Sequence, residues 1–259
     1  NLLCALYYLV SSPAINGVIL SDNLRLESQG HKDHLNIDQY LQDVLMPVFL
    51  SAQSHYIYRN QLDPANVNLA MAPRGEGKHE FISACFSISP TLKSSKRIQE
   101  MELQSVPADP ITLVPDLGDM LETALRNPTI QCDTDTARDV LAVLSGPPES
   151  LDKMVPDLDS QTEFQETLGV RCLANRPTNS AVEGGFPRFF LAQFPNMTDV
   201  RLTVLLSGPR FPVLEQALRT ALNDRNWGPA MGGESLADAL RRVDESTVRR
   251  LGLSHMRSN

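Results

Sequence analysis

The strongest constraint on this chain is a pair of apolar, β-rich runs, Arg188 to Phe194 and Val200 to Ser207, separated only by Pro195-Asn196-Met197-Thr198-Asp199. In the second run Val200, Leu202, Val204 and Leu206 share one face while Arg201 and Thr203 share the other, the period of two expected of a strand. A parallel crossover needs about a dozen residues or more, so the connector is read as a hairpin loop and the sheet as mixed or antiparallel. Two further strands are expected at Glu80 to Ile88 and Val140 to Ser145. Helices are expected at Asp116 to Arg126, around Gln161 to Leu168, and at Pro212 to Asn223. Together these make an α+β unit around a mixed four-stranded sheet.

The N-terminal part reads differently. Leu2, Leu3, Leu6 and Leu9 recur at helical spacing up to Ser11-Ser12-Pro13. Gly17-Val18-Ile19-Leu20 is then a short, wholly apolar strand that runs into Ser21-Asp22-Asn23, the pattern of a buried parallel strand delivering polar groups at its C-terminal end, where open α/β sheets bind ligands. Asn36 or Asp38 can cap a helix that carries Tyr40, Leu41, Val44, Leu45, Val48, Phe49 and Ala52 on one stripe and ends near His55. Pro47 kinks it. After Asp63-Pro64-Ala65 a short helix is expected to reach about Met71.

Composition excludes several function classes. With 23 Lys+Arg against 31 Asp+Glu, a net charge of −8 and 6% aromatics, the chain lacks the basic, stacking face of a nucleic-acid binder. Its longest apolar runs, Leu2 to Val10 and Val44 to Ala52, fall short of the roughly 20 residues that span a bilayer. Cys4, Cys85, Cys132 and Cys172 are widely spaced, with no CxxC pair, and read as reduced thiols of a cytoplasmic protein. The first residue is Asn1 and its flank lacks the features of a signal peptide, so the chain reads as a piece whose beginning lies elsewhere.

Few motifs carry chemistry. Arg74-Gly75-Glu76-Gly77-Lys78-His79 is followed by a strand rather than the helix a phosphate loop requires, and is read as a turn. His31 and His34 lack further ligands nearby and are read as loop residues, and Asp133-Thr134-Asp135 as turn chemistry. Asp22-Asn23 is more informative. A carboxylate beside an amide can read a ring edge that carries both donors and acceptors, such as a purine, and can equally cap a helix. Asp38 and Tyr40 can add an acceptor and a stacking face, or serve as an N-cap and a core aromatic.

Several of these segments together resemble the tubulin/FtsZ superfamily, and within it the CetZ-like branch, over about residues 1–223. The likeness is carried by GVILSDN at Gly17 to Asn23 before a long helix, QLDPANV at Gln61 to Val67, Asn68 to Phe81, ARDVLAVLSGPPE at Ala137 to Glu149, and FFLAQFPNMTDVRLTVLLSGP at Phe189 to Pro209. The resemblance implies the end of a Rossmann-like GTPase domain and a long central helix over residues 1–60. It implies a C-terminal α+β domain over 61–234, followed by a charged tail or docking helix over 235–259. It implies GTP or GDP with Mg²⁺ as ligands, and a head-to-tail polymer of the chain itself as partner. Asp22, Asn23, Asp38 and Tyr40 fall at the guanine end of the pocket. Gln61, Asp63 and Asn66 fall in the loop that enters the neighbouring subunit's site, matching an Asn, an Asp and a second Asp in the family. The second acid is an amide here, which cannot take a proton from water at neutral pH. The family's glycine-rich phosphate loop does not occur in these residues, so the resemblance makes GTPase activity conditional on such a loop outside them.

Overall fold

The computed structural model describes residues 17–28, 82–88, 116–175, 187–197, 199–214, 216 and 220, with the backbone alone described for 17–18 and 82–88. Five strands form one mixed sheet: β1 (Gly17–Ile19), β2 (Ile82–Ile88), β3 (Asp139–Gly146), β4 (Arg188–Gln193) and β5 (Arg201–Ser207), in the order β1-β2-β5-β3-β4. The four strands expected of the α+β unit lie side by side, and β1 extends the same sheet by pairing parallel to β2. The expected division near residue 60 lies outside the described residues.

The sequence reading errs at the connector. β4 and β5 are not a hairpin, because β3 lies between them, parallel to β4 and antiparallel to β5. A short loop does exclude a parallel crossover, but it does not exclude an antiparallel step across one intervening strand. That step spans two inter-strand spacings, about 10 Å. The seven residues between Gln193 and Arg201 can extend to about 23 Å. The link passes over the end of β3 at Gly146. A Cβ placed there would lie 3.1 Å from Val200 Cγ2 and 3.2 Å from the Asp199 carbonyl oxygen, tighter than a Cβ ordinarily sits, so glycine suits the close approach. The Phe194 N–H donates to the Gly146 carbonyl at 2.9 Å and fastens the crossing. The similar Ser207-Gly208-Pro209 uses its glycine otherwise: Gly208 has φ of 62°, a left-handed turn out of β5.

β3 is buried from end to end, as a central strand covered on both faces should be. On one face Val140, Ala142 and Leu144 meet Leu202, Val204 and Leu206 of β5 and Phe189 and Leu191 of β4 in a single hydrophobic core. The opposite face, with Leu141, Val143, Thr203 and Leu205, is equally closed to water. Each fully buried leucine or phenylalanine contributes about 1.5–3 kcal/mol relative to exposure.

Helices that come after β2 in the chain cover the first face. The helix at α1 (Asn23–Ser28) follows β1, α2 (Leu117–Arg126) precedes β3, and α3 (Pro148–Met154) with α4 (Leu158–Cys172) forms the crossover from β3 to β4. The expected helix from Asp116 is α2, with Asp116 itself as N-cap accepting from the Asp119 N–H at 3.1 Å. The helix expected around Gln161 to Leu168 extends at both ends to become α4. Asp157 caps it, accepting from the Ser160 N–H at 2.8 Å, and Gln161, Phe164, Leu168 and Cys172 form its inner row. Phe164 meets Phe189 edge to face, with ring centroids 4.6 Å apart. Gln161 Nε2 donates to the Phe189 carbonyl at 3.3 Å and Gln165 Nε2 to that of Pro187, so α4 also bonds the backbone at the start of β4. No helix is expected at α3, since glycine and two prolines directly follow the strand expected at Val140 to Ser145 and suit a strand end. Pro148 is equally a helix opener, since the first turn needs no N–H donor. Pro212–Leu214, Gln216 and Thr220 are helical, in line with the helix expected there.

Candidate functional site

The candidate site is the turn between β1 and α1. Strand β1 ends at Ile19, Leu20 is buried, and the chain becomes polar at Ser21-Asp22-Asn23 as it leaves the sheet. Asp22 caps α1. Its Oδ1 accepts from the Leu24 N–H at 3.0 Å and its carbonyl from the Leu26 N–H at 3.0 Å. Leu26 is the buried residue of this short helix. Asp22 is half-buried and Asn23 exposed. Among the described residues nothing bonds the second carboxylate oxygen of Asp22 or the amide of Asn23, so an acceptor and a donor–acceptor amide sit adjacent and available. That donor set fits a purine edge, and the capping bond does not consume it.

The turn is tied to the loop that follows α2, about a hundred residues away in sequence. The Asp22 N–H donates to the Thr129 carbonyl at 2.8 Å, and the buried Thr129 hydroxyl donates to the Leu20 carbonyl at 2.9 Å. Arg25 Nε donates to the Pro128 carbonyl at 2.7 Å and Nη2 to the Arg126 carbonyl at 3.2 Å. These carbonyls close the C-terminal end of α2, where the helix leaves acceptors unfilled and favours a cation. The sequence reading passed over Arg25 and Thr129. A cation one turn after Asp22, and a proline that stops α2 at Pro128, were visible signals, but nothing local pairs them.

The remaining predicted site residues, Asp38, Tyr40, Gln61, Asp63 and Asn66, lie outside the described residues, as do His31, His34 and the Arg74 to His79 turn. Asp133-Thr134-Asp135 opens a 3₁₀ turn, Thr134–Thr136, whose polar groups bond the frame. The Thr136 hydroxyl donates to the Asp133 carbonyl at 2.6 Å, the Asp133 N–H to the Arg210 carbonyl at 2.9 Å, and the Arg210 N–H to Thr136 Oγ1 at 2.9 Å. Among the described residues no group of three His, Cys, Asp or Glu side chains is placed to hold a metal ion, and no helix is long and apolar enough to cross a membrane. Cys132 and Cys172 are free thiols. Burial first, then the nearby Asp135 and Cys132, push the Cys172 thiol up to about 12, which leaves it protonated and unreactive at neutral pH.

No protein-family model matches the chain, and no curated protein matches it. Solved structures do. A protofilament of TubZ from Bacillus thuringiensis serovar israelensis, in its GTPγS form, superposes with a TM-score of 0.52 at 11% identity over 93% of this chain and 53% of that one. An empty FtsZ dimer from M. jannaschii gives 0.45 at 16% identity over 74% of this chain and 45% of that one, and a point mutant of the same FtsZ gives 0.44 at 16%. The chain spans about half the length of the structures it matches. The TubZ superposition establishes the fold: a mixed α/β arrangement of the kind found in TubZ.

Proposed function

We propose that this chain is the C-terminal portion of a tubulin/FtsZ-like cytoskeletal GTPase of the CetZ-like branch, which assembles head to tail into cytoplasmic filaments. The observation that carries the reading is the superposition on a TubZ protofilament over nearly the whole chain, with the QLDPANV and GVILSDN segments supplying the chemistry. In this reading Asp22 and Asn23, joined by Asp38 and Tyr40, bind the guanine of GTP or GDP. Gln61, Asp63 and Asn66 enter the nucleotide site of the adjoining subunit, so a complete hydrolytic site exists only in the polymer.

The three loop residues divide the work by their chemistry. Asp63 is the one group among them that can accept a proton or orient an attacking water as a charged acceptor; Gln61 and Asn66 contribute neutral hydrogen bonds. Mg²⁺, when bound, neutralises the phosphate charge that develops during transfer. The phosphates also require a cradle of backbone N–H groups, and the family's glycine-rich loop that supplies it does not occur in this sequence. Turnover is therefore a property of a protein that carries such a loop as well.

A second reading is favoured by Asn66 standing where the family has an acid: a tubulin-like scaffold or filament-interaction protein without catalysis. Phosphate release on adding GTP to the complete protein, with and without Asp63→Ala, separates the two. The first reading predicts turnover that the substitution lowers by at least about 100-fold, the usual weight of a general base. The second predicts no turnover in either protein.

A further inference from the structure

Thr129 grips the polar turn from both sides of Ser21. Its hydroxyl donates to the Leu20 carbonyl at 2.9 Å, and its carbonyl accepts from the Asp22 N–H at 2.8 Å. Arg25 holds the far side of the same turn, with Nε and Nη2 on the carbonyls of Pro128 and Arg126. The four bonds run between segments a hundred residues apart, and none is needed for the internal cap of α1, which Asp22 completes with the Leu24 N–H. Their anchor is rigid, because α2 is seated in the core through Met120, Leu121 and Ala124. Asn127 closes its last turn through Nδ2 on the Thr123 carbonyl at 2.9 Å.

We propose that Arg25 and Thr129 are positioning residues that fix the orientation of the Asp22–Asn23 pair, so that the loop after α2 sets the base specificity of the nucleotide site. The proposal rests on the reading of Asp22 and Asn23 as base-binding residues. Reading a donor–acceptor edge requires the carboxylate and the amide to be held within a few tenths of an ångström. A six-residue helix with a single buried side chain does not supply that rigidity by itself. The clamp does, by joining the turn to α2, which three buried side chains of its own seat in the core.

The test is competition binding of GTP, ITP and ATP to the complete protein, comparing wild type with Thr129→Val, Thr129→Ser, Arg25→Met and Asn23→Ala. Thr129→Val keeps the shape of the side chain and Arg25→Met keeps only its apolar stem; both lose the donors, and each is expected to reduce the preference for GTP over ATP by at least about tenfold, the weight of one well-placed hydrogen bond. Thr129→Ser retains the hydroxyl and is expected to retain the preference. A purely structural role would weaken all three nucleotides by the same factor, and equal ratios in wild type, Thr129→Val and Arg25→Met overturn the proposal. Arg25 is half-buried, so Arg25→Met reports even where Thr129→Val fails to fold. A wild-type preference that Asn23→Ala removes, but Arg25→Met and Thr129→Val leave intact, refutes the clamp and spares the base-binding reading. A wild type that does not prefer GTP refutes both.

Discussion

The middle of the sheet and its β1 edge are held by different forces. β3 contributes eight consecutive buried residues and is flanked by strands on both sides, so its place is fixed by apolar area removed from water. Among the described residues the β1–α1 segment buries Leu20 and Leu26, pairs with β2 at the sheet edge, and is tied by hydrogen bonds to the loop after α2. A full leucine burial is worth about 1.5–3 kcal/mol, whereas a net intramolecular hydrogen bond is worth about 0.5–1.5. The contrast teaches what fixes each region: packing places the core strands, whereas directed hydrogen bonds set the orientation of the polar turn.

The largest effect should come from hollowing the core. Leu144→Ala or Phe189→Ala is expected to lower unfolding free energy by about 2–5 kcal/mol, read as a fall in the urea midpoint at unchanged slope. Gly146→Val tests the crossing at the end of the same strand. The added branches meet Val200 and the Asp199 backbone, and a loss of about 1–3 kcal/mol is expected in the same titration. Arg25→Met removes two hydrogen bonds from the other region and should cost about 1–2 kcal/mol. A loss as large as that of Leu144→Ala would break the distinction between core and turn.

The smallest effect at neutral pH is that of Cys172, which changes nothing until the medium is alkaline. Its ordinary value of 9.0 is pushed up to about 12 in the folded chain, chiefly by burial. Between those values the unfolded chain loses a proton that the folded chain keeps, so stability is undiminished below pH 9 and falls as pH rises towards 12. Cys172→Ala should flatten that fall, as measured by thermal denaturation across the range.

The same division governs what the sequence discloses. Strands β2 to β5 are legible because their apolar composition marks them, as in Val140-Leu141-Ala142-Val143-Leu144, and the cap at Asp116 marks where α2 starts. Their order is not legible from spacing. A short link between Gln193 and Arg201 suits a hairpin as well as a step over β3, and the deciding contact, Val200 against Gly146, is a matter of space rather than pattern. Asp22 and Asn23 stand out as polar residues at a strand end, but Arg25 and Thr129 do not, because their partners are carbonyls that every residue carries. Pro148 illustrates a true ambiguity, since one residue type both ends strands and opens helices.

The most direct test of the account is sedimentation of the complete protein, with light scattering in parallel, at concentrations above micromolar with GTP and Mg²⁺, with GDP, and without nucleotide. The account predicts polymer that pellets with GTP and disperses as GTP is consumed. Protein that stays in the supernatant under every nucleotide, across a range of salt and Mg²⁺, would contradict it.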